Sequence, residues 1–239
     1  MPHPGRTQKP PYSAAEAIAA LSAADPRLGR LIERAGPFTM KLASKQSPFE
    51  ALLESIIYQQ LHGKAAAAIH ARLLASFAEP GPDGSILHPV PHPTAQHLLD
   101  APNEQLRAAG LSHNKALAVR DLAAKTLDGT VPTLARIRLL SDQQIIDHLT
   151  QVRGIGTWTV EMFLIFRLGR PDILPVTDYG VRKGFALTFG KLKPSDKVTP
   201  ADLPKPAVIE ARAKKWHPWC SVASWYLWRA CDLAKPTQN

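Results

Sequence analysis

Residues 149–184 read LTQVRGIGTWTVEMFLIFRLGRPDILPVTDYGVRKG. Just upstream, Ser141 and Gln144 stand at the spacing of a capping box, and Ile145, Ile146, Leu149 and Val152 follow at helical spacing. That helix must end at Arg153-Gly154-Ile155-Gly156, because two glycines so close together allow backbone angles closed to other residues. Thr157 is placed to cap a second helix. Its residues Trp158, Val160, Met162, Phe163, Leu164, Ile165 and Phe166 make it apolar on most sides, so it is expected to be buried. Gly169 and Pro171 stop it, an extended crossing follows, and Asp178 stands ahead of a third helix that begins with a basic turn, Arg182 and Lys183.

Outward from this stretch the pattern stays helical. Residues 1–11 are Pro-rich and polar and read as a tail. Two helices are expected over 13–35, broken near Asp25-Pro26. Pro48 opens a strong helix with Phe49, Leu52, Leu53, Ile56 and Ile57 on one face, ending at Tyr58-Gln59-Gln60-Leu61-His62-Gly63, and another runs from Lys64 to about Phe77. A Pro/Gly-rich loop over 79–93 precedes short helices at 94–99 and 103–108. After Gly110-Leu111-Ser112 comes a helix with Lys115, Leu117, Val119 and Leu122. A polar, Pro-rich loop is expected over 191–206 and a final helical block over 216–229. No run reads as a strand, so the fold class is all-α.

With 239 residues the chain can bury one substantial core or two lobes sharing a cleft. No apolar run approaches a membrane span, and the first residues lack the apolar centre of a signal peptide. A net charge of +9 implies an acidic partner. Nucleic acid is preferred to an anionic membrane, because no basic amphipathic helix stands out. The two cysteines, Cys220 and Cys231, fit a reducing compartment and are too few for a four-cysteine iron–sulfur cluster. His88 and His92 have a metal-like spacing, but Pro89, Pro91 and Pro93 preclude a helix that would bring them together.

The central stretch is a helix–hairpin–helix. Gly154 and Gly156 carry no side chains, so a phosphate backbone can approach main-chain amides at a helix N-terminus. Hairpin and downstream carboxylate together resemble the helix-hairpin-helix DNA glycosylase superfamily, and within it the 3-methyladenine DNA glycosylase II, or alkylbase, branch. The matching residues are Arg153 (where the family usually has Pro), Gly154, Ile155, Gly156, Trp158, Thr159, Val160 and Asp178. The resemblance covers most of residues 45–230. It implies two helical lobes with an active-site cleft between them: 1–45 packing with the C-terminal lobe, 46–172 as the hairpin lobe, and 173–239 as the remainder carrying Asp178. The family's catalytic aspartate corresponds to Asp178, which is equally well placed to cap the helix after it.

By the same resemblance, the base pocket draws on Trp158, Trp228, Tyr179, Met162 and Gln59, with Met162 standing where the bacterial prototype has an aromatic residue. DNA contacts fall to Gln60 or Leu61 as the wedge, to Lys115, to Arg153, Gly154, Ile155, Gly156 and Thr157 of the hairpin, and to Arg182. Main-chain carbonyls of Thr150, Val152 and Ile155 match a monovalent-cation site; no other cofactor is expected. His62 replaces a small hydroxyl residue, and Cys220 occupies an arginine position in the segment Trp216-His217-Pro218-Trp219-Cys220-Ser221-Val222-Ala223. The lysine that forms a Schiff base in lyase-type relatives is replaced by Trp158.

The implied activity is that of a monofunctional glycosylase that flips an alkylated purine and hydrolyses its N-glycosidic bond. Two alternatives share the scaffold: a glycosylase for deaminated or oxidised bases, and a non-catalytic DNA-binding module. The expected partner is damaged double-stranded DNA, with no membrane and no obligatory protein partner, acting as a monomer. The expected location is the bacterial cytoplasm (with the nucleoid) or a eukaryotic nucleus.

Overall fold

Helix after helix begins on a short polar residue whose side chain accepts an otherwise orphaned amide. The computed structural model describes residues 8–43, 47–78, 92–190, 192–193 and 195–235. Ser13 caps α1 (Ala14–Ala24), and Asp25 caps α2 (Pro26–Ala35). Ser47 and Glu50 close a capping box on α3 (Pro48–Tyr58). Then come α4 (Gly63–Ala75), α5 (Ala95–Asp100) and α6 (Asn103–Ala108), followed by α7 (His113–Leu127) capped by Ser112 and α8 (Leu134–Ile137) capped by Thr133. The expected capping box of Ser141 and Gln144 opens α9 (Asp142–Leu149). After α10 (Thr157–Phe163) the chain makes a π-helical turn over Leu164–Leu168, and then come α11 (Tyr179–Phe189), α12 (Pro206–Ala213) and α13 (Cys220–Leu233). Among the described residues the only strand-like pairing is an isolated bridge between Gln8 and Leu42. The fold is all-α.

The chain divides into two compact units, the first within 45–160 and the second joining 4–44 to 161–239. In the first, α7 packs against α3, α5 and α6, and α3 also packs against α4. Leu52, Leu53, Ile56, Leu98, Leu106, Val119, Leu122 and Ile145 form its buried interior. In the second, α11, α13, α1 and α2 pack around Leu21, Leu28, Val181, Phe185, Trp216, Tyr226 and Leu227.

The structure corrects several expectations. The unit boundary falls inside α10, after Val160, and not at 172. Residues past it are bound to the second unit: Phe166 stacks on Trp228 with ring centroids 5.6 Å apart, the Phe166 carbonyl accepts the Ala43 N–H at 2.9 Å, and Gly169 abuts Pro11 and Leu42. Residues 8–11 are not a free tail, since Gln8 pairs with Leu42 and Pro11 seats against Gly169. Thr157 is the first residue of α10 and not its cap; the Gly156 carbonyl accepts the N–H groups of Thr159 and Val160. Residues 206–213, the first of them assigned to a loop, form α12, and the last helix starts at Cys220, after turns over 214–218. Residues 79–91 of the expected Pro/Gly loop, with His88, lie outside the described residues.

A buried carboxylate ties the ends of the second unit together. Asp25, fully buried, accepts a bidentate pair of hydrogen bonds from Arg212 at 2.8 Å each, another from the Trp216 indole at 3.1 Å, and an ion pair from Lys215 at 3.2 Å. Burial pushes its pKa up, but Arg212, Trp216 and Lys215 overcome that and hold it at about 2. Removing it as Asp25→Ala is expected to cost about 3 kcal/mol in denaturant unfolding, the low end for breaking a buried pair, because Arg212 and Lys215 keep some solvent. The wild-type contribution is present above the ordinary aspartate range and is lost as pH falls toward 2, so the gap between the two proteins should close in acid.

Candidate active site

In the first unit the glycine hairpin is braced from α7. The Asp121 carboxylate accepts the Arg153 N–H at 2.7 Å and pairs with Lys125, whose ammonium donates to the Gln151 carbonyl at 2.6 Å. Burial alone would raise the Asp121 pKa; Lys125 and the Arg153 amide lower it on balance. The Ile155 N–H returns to the Val152 carbonyl at 3.0 Å, closing the turn, and Gly154 takes the left-handed conformation that this turn requires, with φ 81°. A Cβ at Gly156 would meet nothing within 4 Å, so the main chain there is open to approach. Arg153, Gly154, Gly156, Thr157 and Trp158 are exposed, whereas Ile155 is buried and anchors the loop from inside.

The turn between α3 and α4 is coupled to this hairpin. Gln59 donates through Nε2 to the Gly154 carbonyl at 2.9 Å, so its amide is engaged with the hairpin. Lys115 donates to the Ile57 and Gln59 carbonyls at 2.6 and 2.9 Å, capping the end of α3. Its ammonium is held by these carbonyls, and burial lowers its pKa. Gln60, exposed, is the single non-glycine residue with positive φ among the described residues, at 57°, and Leu61 beside it is 40% exposed. Both wedge candidates therefore project from a turn that is held in a strained backbone state.

In the second unit the candidate residue is Asp178. It caps α11, and one oxygen, Oδ1, accepts both the Val181 N–H and the Trp228 indole N–H, each at 2.8 Å. Trp228 thus positions the carboxylate as well as presenting an aromatic face, a role its place in the sequence did not reveal. Two glycines let α13 come this close: a Cβ at Gly184 would lie 1.9 Å from the Leu227 carbonyl oxygen, and one at Gly180 would lie 2.6 Å from Cδ1 of Trp228. Tyr179 is 45% exposed next to Asp178, and Met162 is half-buried. Arg182 does not offer its guanidinium outward; it donates to the carbonyls of Pro200, Leu203 and Pro204 and braces that loop.

These observations meet a match to the family model of HhH-GPD superfamily base excision DNA repair proteins over residues 53–207. The chain belongs to this superfamily. Among its relatives, DNA-3-methyladenine glycosylase 1 of Schizosaccharomyces pombe is 32% identical over 219 residues, covering 91% of this chain and 88% of the relative. The structure of the S. pombe 3-methyladenine DNA glycosylase (Mag1) in complex with abasic DNA superposes with a TM-score of 0.72 at 32% identity, covering 93% of this chain and all of that one. A DNA-3-methyladenine glycosidase from Bacillus halodurans superposes with a TM-score of 0.73 at 30% identity, covering 95% and 93% of the two chains.

Within the superfamily frame one further ionisable group emerges. Glu161, the acidic residue in the otherwise apolar α10, has a buried Oε2 with no hydrogen-bond partner among the described residues. Burial, with a smaller push from the negative charge of Asp178, raises its pKa to about 7. Its signal in the sequence is a charged residue inside an apolar helical run.

Two tests follow from this geometry. Gly180→Ala should drive the Trp228 ring off Asp178, altering tryptophan fluorescence and near-UV circular dichroism while the far-UV helical signal is kept. Glu161 binds a proton in the folded state that the unfolded chain has lost, so its contribution to stability falls as pH rises from about 4.5 through 7. Glu161→Gln should therefore melt at a higher temperature than wild type at pH 8, with the difference vanishing near pH 4.

Proposed function

We propose that the protein is a monofunctional DNA glycosylase that excises alkylated purines such as 3-methyladenine and 7-methylguanine. The observation that carries this reading is the Asp178 carboxylate fixed by Val181 and Trp228 in a chain of this superfamily. A base inside a duplex is out of reach, so the nucleotide must be extruded, with Gln60 or Leu61 as the wedge. The exposed hairpin main chain, the exposed Arg153 and the net charge of +9 supply the electrostatic grip on the phosphate backbone.

Alkylation at N3 or N7 gives the purine a positive charge and makes it a good leaving group. The C1′–N9 bond breaks with its electron pair going to the purine, and the sugar acquires oxocarbenium character. Asp178 opposes that charge at short range and orients the water that adds to C1′ and then loses its proton. Aromatic faces favour a cationic base, and Trp228, stacked on Phe166, offers one in the same unit as Asp178. Trp158 occupies the position at which lyase-type relatives carry their amine, so no Schiff base forms and the product is an abasic site left unnicked. The carbonyl oxygens of Thr150, Val152 and Ile155 are neutral, hard donors that suit Na⁺ or K⁺; a cation there would stiffen the hairpin against phosphate and take no part in bond cleavage. The protein acts as a monomer wherever the cell keeps its DNA.

Incubation with N-methylated DNA should release 3-methyladenine and 7-methylguanine, and Asp178→Asn should lower the rate by about a hundredfold or more while duplex binding persists. Duplex affinity of both proteins should fall steeply with salt. Binding without base release by the wild-type protein would overturn the alkylpurine reading and favour a damage-binding module.

A further inference from the structure

The start of α13 is stitched to the segment that leads toward Asp178. Ser221 donates through its amide to the Pro171 carbonyl at 2.9 Å and through Oγ to the Arg170 carbonyl at 2.7 Å, and it accepts the Ile173 N–H at 3.0 Å. Beside this seam three side chains of different chemistry converge. His217 Nδ1 lies 2.7 Å from Asp172 Oδ2 and 3.7 Å from Cys220 Sγ, and one ligand atom from each residue lies within 4.8 Å of the others.

A single ring nitrogen faces both the carboxylate and the sulfur. In a Cys–His–Asp relay the two nitrogens of the ring serve the two partners separately, so this trio is not built as one. Donor atoms turned toward one point are the geometry of chelation. A tetrahedral ion bound at about 2.05 Å to nitrogen and about 2.3 Å to sulfur sets those atoms about 3.6 Å apart, close to the separation present here. The carboxylate oxygen would withdraw from the ring by less than about 1 Å to reach its own bonding distance. Asp172 Oδ1 accepts the Cys220 N–H at 3.2 Å, which leaves Oδ2 as the ligand and fixes its direction.

We propose that Asp172, His217 and Cys220 form a three-ligand site for Zn²⁺ or a cation of similar preference, with water as the fourth ligand. Thiolate, imidazole and carboxylate together match that ion better than magnesium or calcium, which take oxygen alone. The His217 side chain, 54% exposed, gives the route in from solvent. Binding as a thiolate releases the Cys220 proton to solvent. The ion would join the beginning of the crossing that ends at Asp178 to the helix that carries Trp228. It is a clamp on the second unit and not a participant in base excision, and it does not depend on the glycosylase reading.

Titration of the chelator-treated full chain with Co²⁺ tests the site. The expected result is saturation at one equivalent, with a near-ultraviolet thiolate-to-cobalt absorption band, visible bands of tetrahedral intensity, and loss of both on adding Zn²⁺. Cys220→Ser should abolish the near-ultraviolet band. His217→Asn, a change at an exposed ring, should weaken cobalt binding by about tenfold or more without shifting the metal-free melting temperature. Zn²⁺ should raise the melting temperature of wild type alone. Absence of a Cys220-dependent band in wild type, or equal cobalt affinity in wild type and His217→Asn, would overturn the proposal.

Discussion

One oxygen atom joins the start of α11 to α13. Asp178 Oδ1 takes two hydrogen bonds at once, from the first turn of its own helix and from an indole on α13. The first is local and comes with any well-placed N-cap. The second requires α13 to approach α11 almost backbone to backbone, and only residues without a Cβ permit that. Gly180 and Gly184, four apart and so on one face of α11, provide the passage. A carboxylate held by two donors keeps a fixed direction.

The first unit solves a similar problem for its main chain. A glycine hairpin with exposed amides is by nature loose, yet here its flanks are pinned by side chains from elsewhere. Asp121 and Lys125 hold Arg153 and Gln151, Gln59 holds Gly154, and Lys115 in turn holds the Gln59 carbonyl. Several polar side chains that would otherwise be free to meet a ligand are thereby engaged with backbone. The result is a preorganised loop, whose ordering cost is met in folding rather than on association.

The parts of this structure that the sequence made legible are those fixed within a few residues. The capping box of Ser141 with Gln144, the glycine break, the stop at Gly169 and the N-cap at Asp178 all depend on neighbours three or four positions away. What the sequence does not announce depends on partners far along the chain. Arg182 and Lys115 hold carbonyls 18 to 58 residues distant, which no local pattern signals. The unit boundary was set too late because an apolar helix gives no sign of which core each of its turns enters; Phe166 is assigned only by its stacking on Trp228 and its bond to Ala43. Residues 8–11 lacked helical pattern and were read as a tail, although a single bridge and one close contact at Gly169 suffice to seat them.

The two acidic residues of the second unit that flank this problem illustrate how environment divides one functional group into two states. Asp178 is ringed by donors, whereas Glu161 has an oxygen buried without any. The difference follows from position: the start of a helix is rich in unpaired N–H groups, and the body of an apolar helix has none to spare. A site that must oppose a growing positive charge gains from one oriented anion. A second full anion nearby would add repulsion between the carboxylates. A pKa of about 7 keeps Glu161 largely neutral below that pH, whereas Asp178 is held by two donors. The apolar character of α10, which made Glu161 easy to overlook, is the physical cause of its unusual titration.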